Sequence, residues 1–244
     1  MSDKPILVLG AAGPSGLVVM RHALERGYSV TAYARNATEL RKRLGDALDE
    51  ARITLIECPI TSLPEKLCPL LPSFGSIISL LGPNSFNHKG TDVAGLYRVI
   101  LEELHSLPAD KRPYLLIAST QSIVDLKDGF DFFTKLHILF IMSIAAGARR
   151  ETLAIKEVFL NDLKSNSVGV DWTVCRLNLI KDAVGPVEGA RAGYVAKDGW
   201  RTTIDRDQLA YWLLNEAVKP PKERKWAREM PALWGDTTAP SPKS

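Results

Sequence analysis

The residues with the clearest chemical use are three glycines near the start of the chain, Gly10, Gly13 and Gly16, in the run Gly-Ala-Ala-Gly-Pro-Ser-Gly. Before them stands Pro5 to Leu9 (PILVL), a short apolar run that suits a buried strand. After them Leu17, Met20, Ala23 and Leu24 recur at helical spacing through residues 14 to 26, and Gly27 closes the helix. Between a strand and a helix each glycine has a reason. Gly10 permits the sharp turn off the strand, Gly13 lets the backbone approach a ligand where a side chain would collide, and Gly16 lets the helix lie close to the sheet. Pro14 suits the first helical position, where its missing N–H is not needed. The free N–H groups of the first helical turn and the helix dipole attract an anion, and Ser15 adds a hydroxyl. The ligand such a turn takes is the diphosphate of a dinucleotide. The spacing is GxxGxxG rather than GxGxxG.

A second signal follows the next strand. Chains that bind NAD place an Asp or Glu there, which accepts hydrogen bonds from the ribose hydroxyls. Here the run is Tyr33-Ala34-Arg35-Asn36, with no acid. An arginine at that point pairs with a 2′-phosphate and stacks on adenine, so the expected cofactor is NADP(H), with Arg35 and Asn36 at its adenosine end. The plainer alternative is a surface charge before a helix. Arg41, Lys42 and Arg43, further along that helix, read as a solvated face.

Other reactive residues are sparse. His88 falls in the loop after the fourth strand, where it could act as a general acid or simply stand exposed. Ser119, Thr120 and Ser122 end the fifth strand, and could hold a substrate oxygen or cap the turn. His22, His88, His105 and His137 have no metal-ligand spacing with one another or with cysteine, so no metal is expected. Cys58, Cys68 and Cys175 are few, odd in number and scattered, which argues against a disulfide framework.

Alternating elements must position these groups. Strands are expected at 28–34 (YSVTAYA), 53–57, 76–81 (SIISLL), 114–119 (YLLIAS) and 171–177 (DWTVCRL). Helices are expected at 37–49, 91–106, about 130–163 with an interruption at Gly147, and from a capping-box-like Asp205-Arg-Asp-Gln208 through Ala217. Strand–helix alternation implies a parallel sheet with right-handed crossovers. The fold class is therefore α/β, a doubly wound Rossmann sheet with helices on both faces and a small C-terminal cap on the substrate side. Residues 1–236 read as one NAD(P)-binding domain, since no repeat or linker divides them. Residues 237–244, rich in Pro, Ser and Thr, read as a disordered tail.

The totals limit the partners. The 31 basic and 28 acidic residues leave a net charge of +3, too balanced for nucleic acid without a basic stripe. Leu136 to Ala148 (LHILFIMSIAAGA) is shorter than the ~20 apolar residues of a membrane span, so none is expected. It reads as a buried helix, or alternatively as a pocket wall or dimer face. The N-terminus has no secretory pattern, which makes the cytoplasm the expected compartment.

Several segments carry a resemblance: ILVLGAAGPSGLVVMRHALERGYSVTAYAR, SIISLLG, LLIAST, GVDWTVCRLNLIKD and TTIDRDQLAYWLL. Together they resemble an atypical short-chain dehydrogenase/reductase of the NAD(P)H-binding, NmrA-like and flavin/biliverdin reductase-like group, over most of the chain. The resemblance implies that Leu81 and Gly82 lie by the cofactor's ribose and Ser119 and Thr120 near the nicotinamide. It matches Lys156 to the lysine of the long helix, and it runs Leu177 to Ile180 past the nicotinamide face. There are departures. The tyrosine of Tyr-xxx-Lys is replaced by Thr152, the Gly-Asp after strand three by Cys58-Pro59, and the Arg-Pro after strand six by Arg176-Leu177. Ordinary carbonyl reduction therefore loses its acid.

Two functions of different class follow as expectations. One is an NADPH-dependent reductase acting on a conjugated small molecule such as a flavin, quinone or aromatic polyketide. It would use Lys156, Ser119 and His88 as catalytic groups and Phe86, Phe130, Phe132, Phe133, Phe140 and Trp200 as candidate walls. A cofactor-assisted isomerase or ring-opening enzyme is its near relative. The other is a non-catalytic NADP(H) sensor with a protein partner. A homodimer is compatible with either.

Overall fold

A computed structural model describes residues 4–47, 50–82, 90–132, 136, 146–165, 169–182 and 187–236. His88, Phe86, Phe133, Phe140, most of the stretch from Leu136 to Ala148, and the tail from Thr237 lie outside the described residues.

The first strand, β1 (Ile6–Leu9), is buried along its whole length. Its side chains alternate between two cores, with Ile6 and Val8 in one and Leu7 and Leu9 in the other. Burial on both faces explains the unbroken apolar run. Helix α1 (Pro14–Glu25) leads to β2 (Val30–Ala34) and α2 (Ala37–Leu44). Asn36 caps α2 by accepting the Glu39 N–H on its Oδ1 at 2.8 Å. The residue pattern predicts a helix to Asp49, but α2 stops at Gly45, whose φ of +52° turns the chain.

Strand β3 (Ile53–Glu57) follows, then a short helix α3 (Leu63–Leu67), which the sequence reading did not foresee. Pro64, Pro69 and Pro72 break this segment into short turns and conceal its helical period. Strand β4 (Ser76–Ser79) ends two residues before the expected limit, although the Leu80 N–H still bonds the Leu9 carbonyl at 2.9 Å. Helix α4 (Asp92–Ser106), strand β5 (Tyr114–Thr120) and helix α5 (Ala146–Ser165) come next. Gly147 is helical within α5, and most of the expected helix before Ala146 lies outside the described residues. Strand β6 (Trp172–Leu177) is followed by β7 (Leu179–Lys181), β8 (Ala190–Gly193), β9 (Thr203–Asp205), helix α6 (Arg206–Ala217) and β10 (Ala232–Gly235). At the start of α6 Gln208 accepts the Asp205 N–H at 3.3 Å, as the capping-box pattern requires.

The main sheet runs β3-β2-β1-β4-β5-β6-β10-β8. All neighbours are parallel except β8, which is antiparallel to β10. This is the doubly wound arrangement. Leu17 and Met20 of α1 and Leu209 and Leu213 of α6 fill one face, and Tyr97 and Ile100 of α4 and Phe159 of α5 fill the other. Strand order reverses at β1, which has β2 on one side and β4 on the other. A crevice therefore opens beyond the carboxyl ends of β1 and β4, the usual ligand position in such sheets. The segment after β6 divides its work. β7 and β9 form a separate parallel pair, with Ile180 of β7 on the cleft, while β8 and β10 extend the sheet.

Candidate active site

The loop leaving β1 turns at Gly10, whose φ is +80°. A Cβ there would lie 2.9 Å from the Leu80 carbonyl, so both conformation and packing require glycine. The Gly13 N–H returns to the Gly10 carbonyl at 3.0 Å, and Gly13 caps α1 with Pro14 in the first turn. Gly16 packs against the loop itself, where a Cβ would overlap the Gly10 oxygen and come 2.8 Å from Ala11. Its closest neighbours are thus loop backbone rather than the body of the sheet.

Gly13 differs from the other two. Its φ of −72° suits any residue. A Cβ there would meet only the Gly10 oxygen, at 3.3 Å. Protein packing alone does not demand a glycine at this position. The missing side chain keeps clear the space in front of the α1 N-terminus, and a diphosphate fits that cradle.

A cleft of about 230 Å³ opens over this loop. The loop contributes Gly10, Gly13, Pro14, Ser15 and Gly16, and the segment after β4 contributes Leu80, Leu81 and Gly82. From the end of β5 come Ala118, Ser119 and Thr120. Thr152 and Ile155 reach in from α5, Leu177, Asn178 and Ile180 from the chain after β6, and Leu209 from α6. Every residue assigned to the glycine loop, to Leu81–Gly82 and to Ser119–Thr120 is thus brought together. Leu177 to Ile180 passes the same cleft, except that Leu179 turns outward. Ser119 Oγ has no hydrogen-bond partner among the described residues, whereas Thr120 Oγ1 accepts the Ser122 N–H at 3.3 Å.

Other assignments fall elsewhere. Lys156 does not line the cleft, because its ammonium donates to the Val124 carbonyl at 2.9 Å and ties α5 to the loop after β5. One turn earlier, where a catalytic phenol would stand, is Thr152, whose hydroxyl donates to the Ala148 carbonyl at 3.0 Å. Phe130 and Phe132 are exposed, and Trp200 packs edge-on against Trp234 with ring centroids 5.4 Å apart. The expected aromatic walls are therefore replaced, among the described residues, by aliphatic ones. Sequence reasoning missed Ile155 and Leu209. The capping box placed the start of α6 correctly, but which face of α6 meets the cleft depends on how the helix docks.

No ionisable side chain lines the cleft among the described residues. Nearby phenols are sealed away. Tyr97 is fully buried and bonds Ser79 Oγ at 2.7 Å, and burial pushes its phenol far above the ordinary value. Neither Tyr97 nor Ser79 lines the cleft. All three cysteines are free thiols, with Cys58 and Cys175 buried. Among the described residues no cluster of His, Cys, Asp or Glu could hold a metal, and no helix is long and apolar enough to cross a membrane.

Arg35, just past β2, is exposed and has no hydrogen-bond or ion-pair partner among the described residues. The Asn36 oxygen is taken by the α2 cap. A buried ion pair holds the loop after β5. Arg176 of β6 bonds Asp128 through both ends of its guanidinium, at 2.5 and 2.8 Å. The same arginine donates to the Met230 carbonyl at 2.6 Å and the Ile123 carbonyl at 3.1 Å. Asp128 also accepts the N–H groups of Asp125 and Val195, at 2.9 and 3.0 Å. The loop after β5 is thereby fixed to β6 and to the chain after β8.

No protein-family model matches the chain, and no curated protein sequence matches it. Solved structures do. ChuY, an anaerobillin reductase from Escherichia coli O157:H7, superposes with a TM-score of 0.64 over 97% of this chain and 100% of its own, at 15% identity. The oxidoreductase ylbE from Lactococcus lactis gives 0.62 over 96% and 92%, at 12% identity. A proposed NADH-flavin reductase from Streptococcus pneumoniae gives 0.61 over 96% and 100%, at 16% identity. At these identities the likeness shows the fold.

Proposed function

We propose that this chain is an NADPH-dependent reductase of the atypical short-chain dehydrogenase/reductase group, delivering hydride to a flat conjugated acceptor such as a flavin, a quinone or an aromatic polyketide. One observation carries the reading. A cleft at the switch point of the sheet joins a diphosphate cradle, kept clear at Gly13, to an apolar chamber without an ionisable lining residue among those described. The reductase and flavin reductase names of similarly folded proteins agree with it.

When bound, NADPH supplies the hydride, which is chemistry of the cofactor. The chain's own residues bind and orient. The loop N–H groups and Ser15 hold the diphosphate, Arg35 pairs with the 2′-phosphate, and Leu81 and Gly82 flank the ribose. Ser119 offers its free hydroxyl to the carboxamide or to a substrate oxygen. Leu80, Ile155, Leu177, Ile180 and Leu209 give the reacting faces an apolar wall. Reduction of an isolated carbonyl needs an acid at the oxygen, and Thr152 supplies none. A conjugated acceptor spreads the incoming charge and takes its proton from water.

The test is a titration with NADPH followed by oxidation of NADPH with flavin and quinone acceptors. Turnover supports the reductase. Tight binding without turnover on any acceptor, with a protein co-purifying, would instead favour a sensor.

Two further outcomes are expected. Arg35→Ala should weaken NADPH by about tenfold or more, since a hydrogen bond to a charged group contributes roughly 1.5–3 kcal/mol, while NADH binding stays nearly unchanged. Equal losses for both cofactors would remove the 2′-phosphate assignment. The turnover rate at saturating NADPH and acceptor should be flat between about pH 6 and pH 9, because none of the described lining residues titrates there. A single sigmoid in that range would point to an acid such as His88.

A further inference from the structure

We infer that Asn178 is a specificity residue for the acceptor, and that its side-chain amide selects a ring with a cyclic amide edge, an N–H beside a carbonyl, over a quinone. This inference rests on the reductase reading above.

The strands set the order of groups along the cleft. Outward from β1, which carries the glycine loop, the sheet runs β4, β5 and β6. Neighbouring strands lie about 4.8 Å apart, so the carboxyl end of β6 lies roughly 14 Å along the sheet from the diphosphate cradle. Ser119 stands at the end of β5, nearer the cradle, and Asn178 directly follows β6. The backbone at Asn178 is held from both sides. The Leu177 carbonyl accepts the Gln121 N–H at 3.0 Å, and the Leu179 N–H donates to the Thr202 carbonyl at 3.1 Å.

Asn178 is the one cleft-lining side chain, among the described residues, that carries a donor and an acceptor on a single planar group. It is half-buried, and its amide has no hydrogen-bond partner among the described residues. The apolar side chains of Ile155, Leu177, Ile180 and Leu209 share the lining. An amide open to solvent bonds water. A ligand that displaces the water must offer an acceptor to the NH2 and a donor to the oxygen, or it strands a polar group against an apolar wall. A cyclic amide or imide offers both side by side, as the adenine edge does to asparagine in nucleic-acid recognition. The N3–H and C4 carbonyl of a flavin form such an edge. A quinone carries acceptors alone and leaves the Asn178 oxygen unpaired.

The test is steady-state oxidation of NADPH with lumiflavin, 3-methyllumiflavin and menadione by the wild type, Asn178→Leu and Asn178→Ala, with NADPH affinity measured beside it by calorimetry. The 3-methyl group removes only the N–H of the edge. The wild type should show a KM for lumiflavin about tenfold below that for 3-methyllumiflavin, as expected where methylation leaves a buried polar group unpaired. Neither variant side chain has a donor or an acceptor, so both should raise the lumiflavin KM and bring the two KM values within about twofold of each other. Their kcat and NADPH affinity should change less, and the KM for menadione should not rise. Equal KM values for the two flavins in the wild type, or a preference that both variants retain, would overturn the inference while turnover upholds the reductase reading. Turnover of menadione with neither flavin would do the same. An NADPH affinity that falls as far as the lumiflavin KM rises would also overturn it, and would assign the amide to the carboxamide of the cofactor. A wild type that oxidises NADPH with none of the three acceptors would defeat the reductase reading itself. The wild-type comparison needs no substitution, so a variant that fails to fold leaves the test standing.

Discussion

Gly13→Val should give a folded protein that binds neither NADPH nor NADH. The backbone at Gly13 is ordinary, with φ −72° and ψ 162°, and a Cβ meets only one atom, the Gly10 oxygen at 3.3 Å. The folding cost is then that of a poor helix cap plus a tight approach to the Gly10 carbonyl, about 1–2 kcal/mol, or a fall in Tm of roughly 2–8 °C. Binding is another matter. The valine methyls occupy the space before the α1 N-terminus, so the diphosphate loses its bonds to the loop N–H groups. At roughly 1.5–3 kcal/mol for each bond to a charged group, two such losses weaken both cofactors by about a hundredfold or more. Gly16→Val is the useful contrast, because its Cβ would overlap the Gly10 oxygen and come 2.8 Å from Ala11. That variant should lose stability as well as binding. A Gly13→Val protein that melts normally and still binds NADPH would show that the diphosphate lies elsewhere.

The second large effect lies in the ion pair. Arg176 is wholly buried and Asp128 nearly so. Asp128→Ala strands the guanidinium in the interior and orphans the N–H groups of Asp125 and Val195, at an expected cost of about 3–5 kcal/mol and a fall in Tm of order 10 °C. The loop that follows Ser119 and Thr120 loses its ion pair with β6 and keeps only the bonds of the Ile123 carbonyl and the Gln121 N–H, so acceptor turnover should fall further than cofactor affinity. The effect should depend on pH. Burial by itself would raise the Asp128 pKa, but the hydrogen bonds and charge of Arg176, together with the N–H groups of Asp125 and Val195, hold it below its ordinary value. A carboxylate depressed in the folded state stabilises above its unfolded pKa of about 3.9, and that contribution is lost as pH falls through the lower folded value. The difference in stability between wild type and Asp128→Asn should thus be full at neutral pH and shrink below about pH 4. Urea titrations at neutral and acidic pH read it directly, and an unchanged difference would contradict the assigned protonation state.

Much of this architecture is legible in local residue pattern. PILVL, YSVTAYA and YLLIAS are apolar because both faces of their strands are covered, and glycine and capping signals mark where α1 and α6 begin or end. The glycine loop is legible because its chemistry is backbone chemistry, confined to seven consecutive residues. What fails to show is whatever depends on distant packing. Lys156 has the spacing of a catalytic lysine, but its direction is set by the Val124 carbonyl 32 positions earlier in the chain. Arg43 looks like one of three adjacent surface charges, yet its guanidinium donates to the Ala12 carbonyl of the glycine loop. Arg176 matches a family position, yet its burial and its bond to Asp128 require the loop, β6 and β10 to be assembled together. The strands after Leu177 are too short to show a period, so the extension of the sheet by β10 and β8 could not be read in advance.

The most direct test of the whole account is calorimetric titration of the wild-type chain with NADPH and NADH side by side. Saturable one-to-one binding of NADPH, clearly tighter than NADH and abolished in Gly13→Val, is the expected result. No binding of either nucleotide, or binding that Gly13→Val leaves intact, would contradict the assignment of the crevice between β1 and β4 as a dinucleotide site.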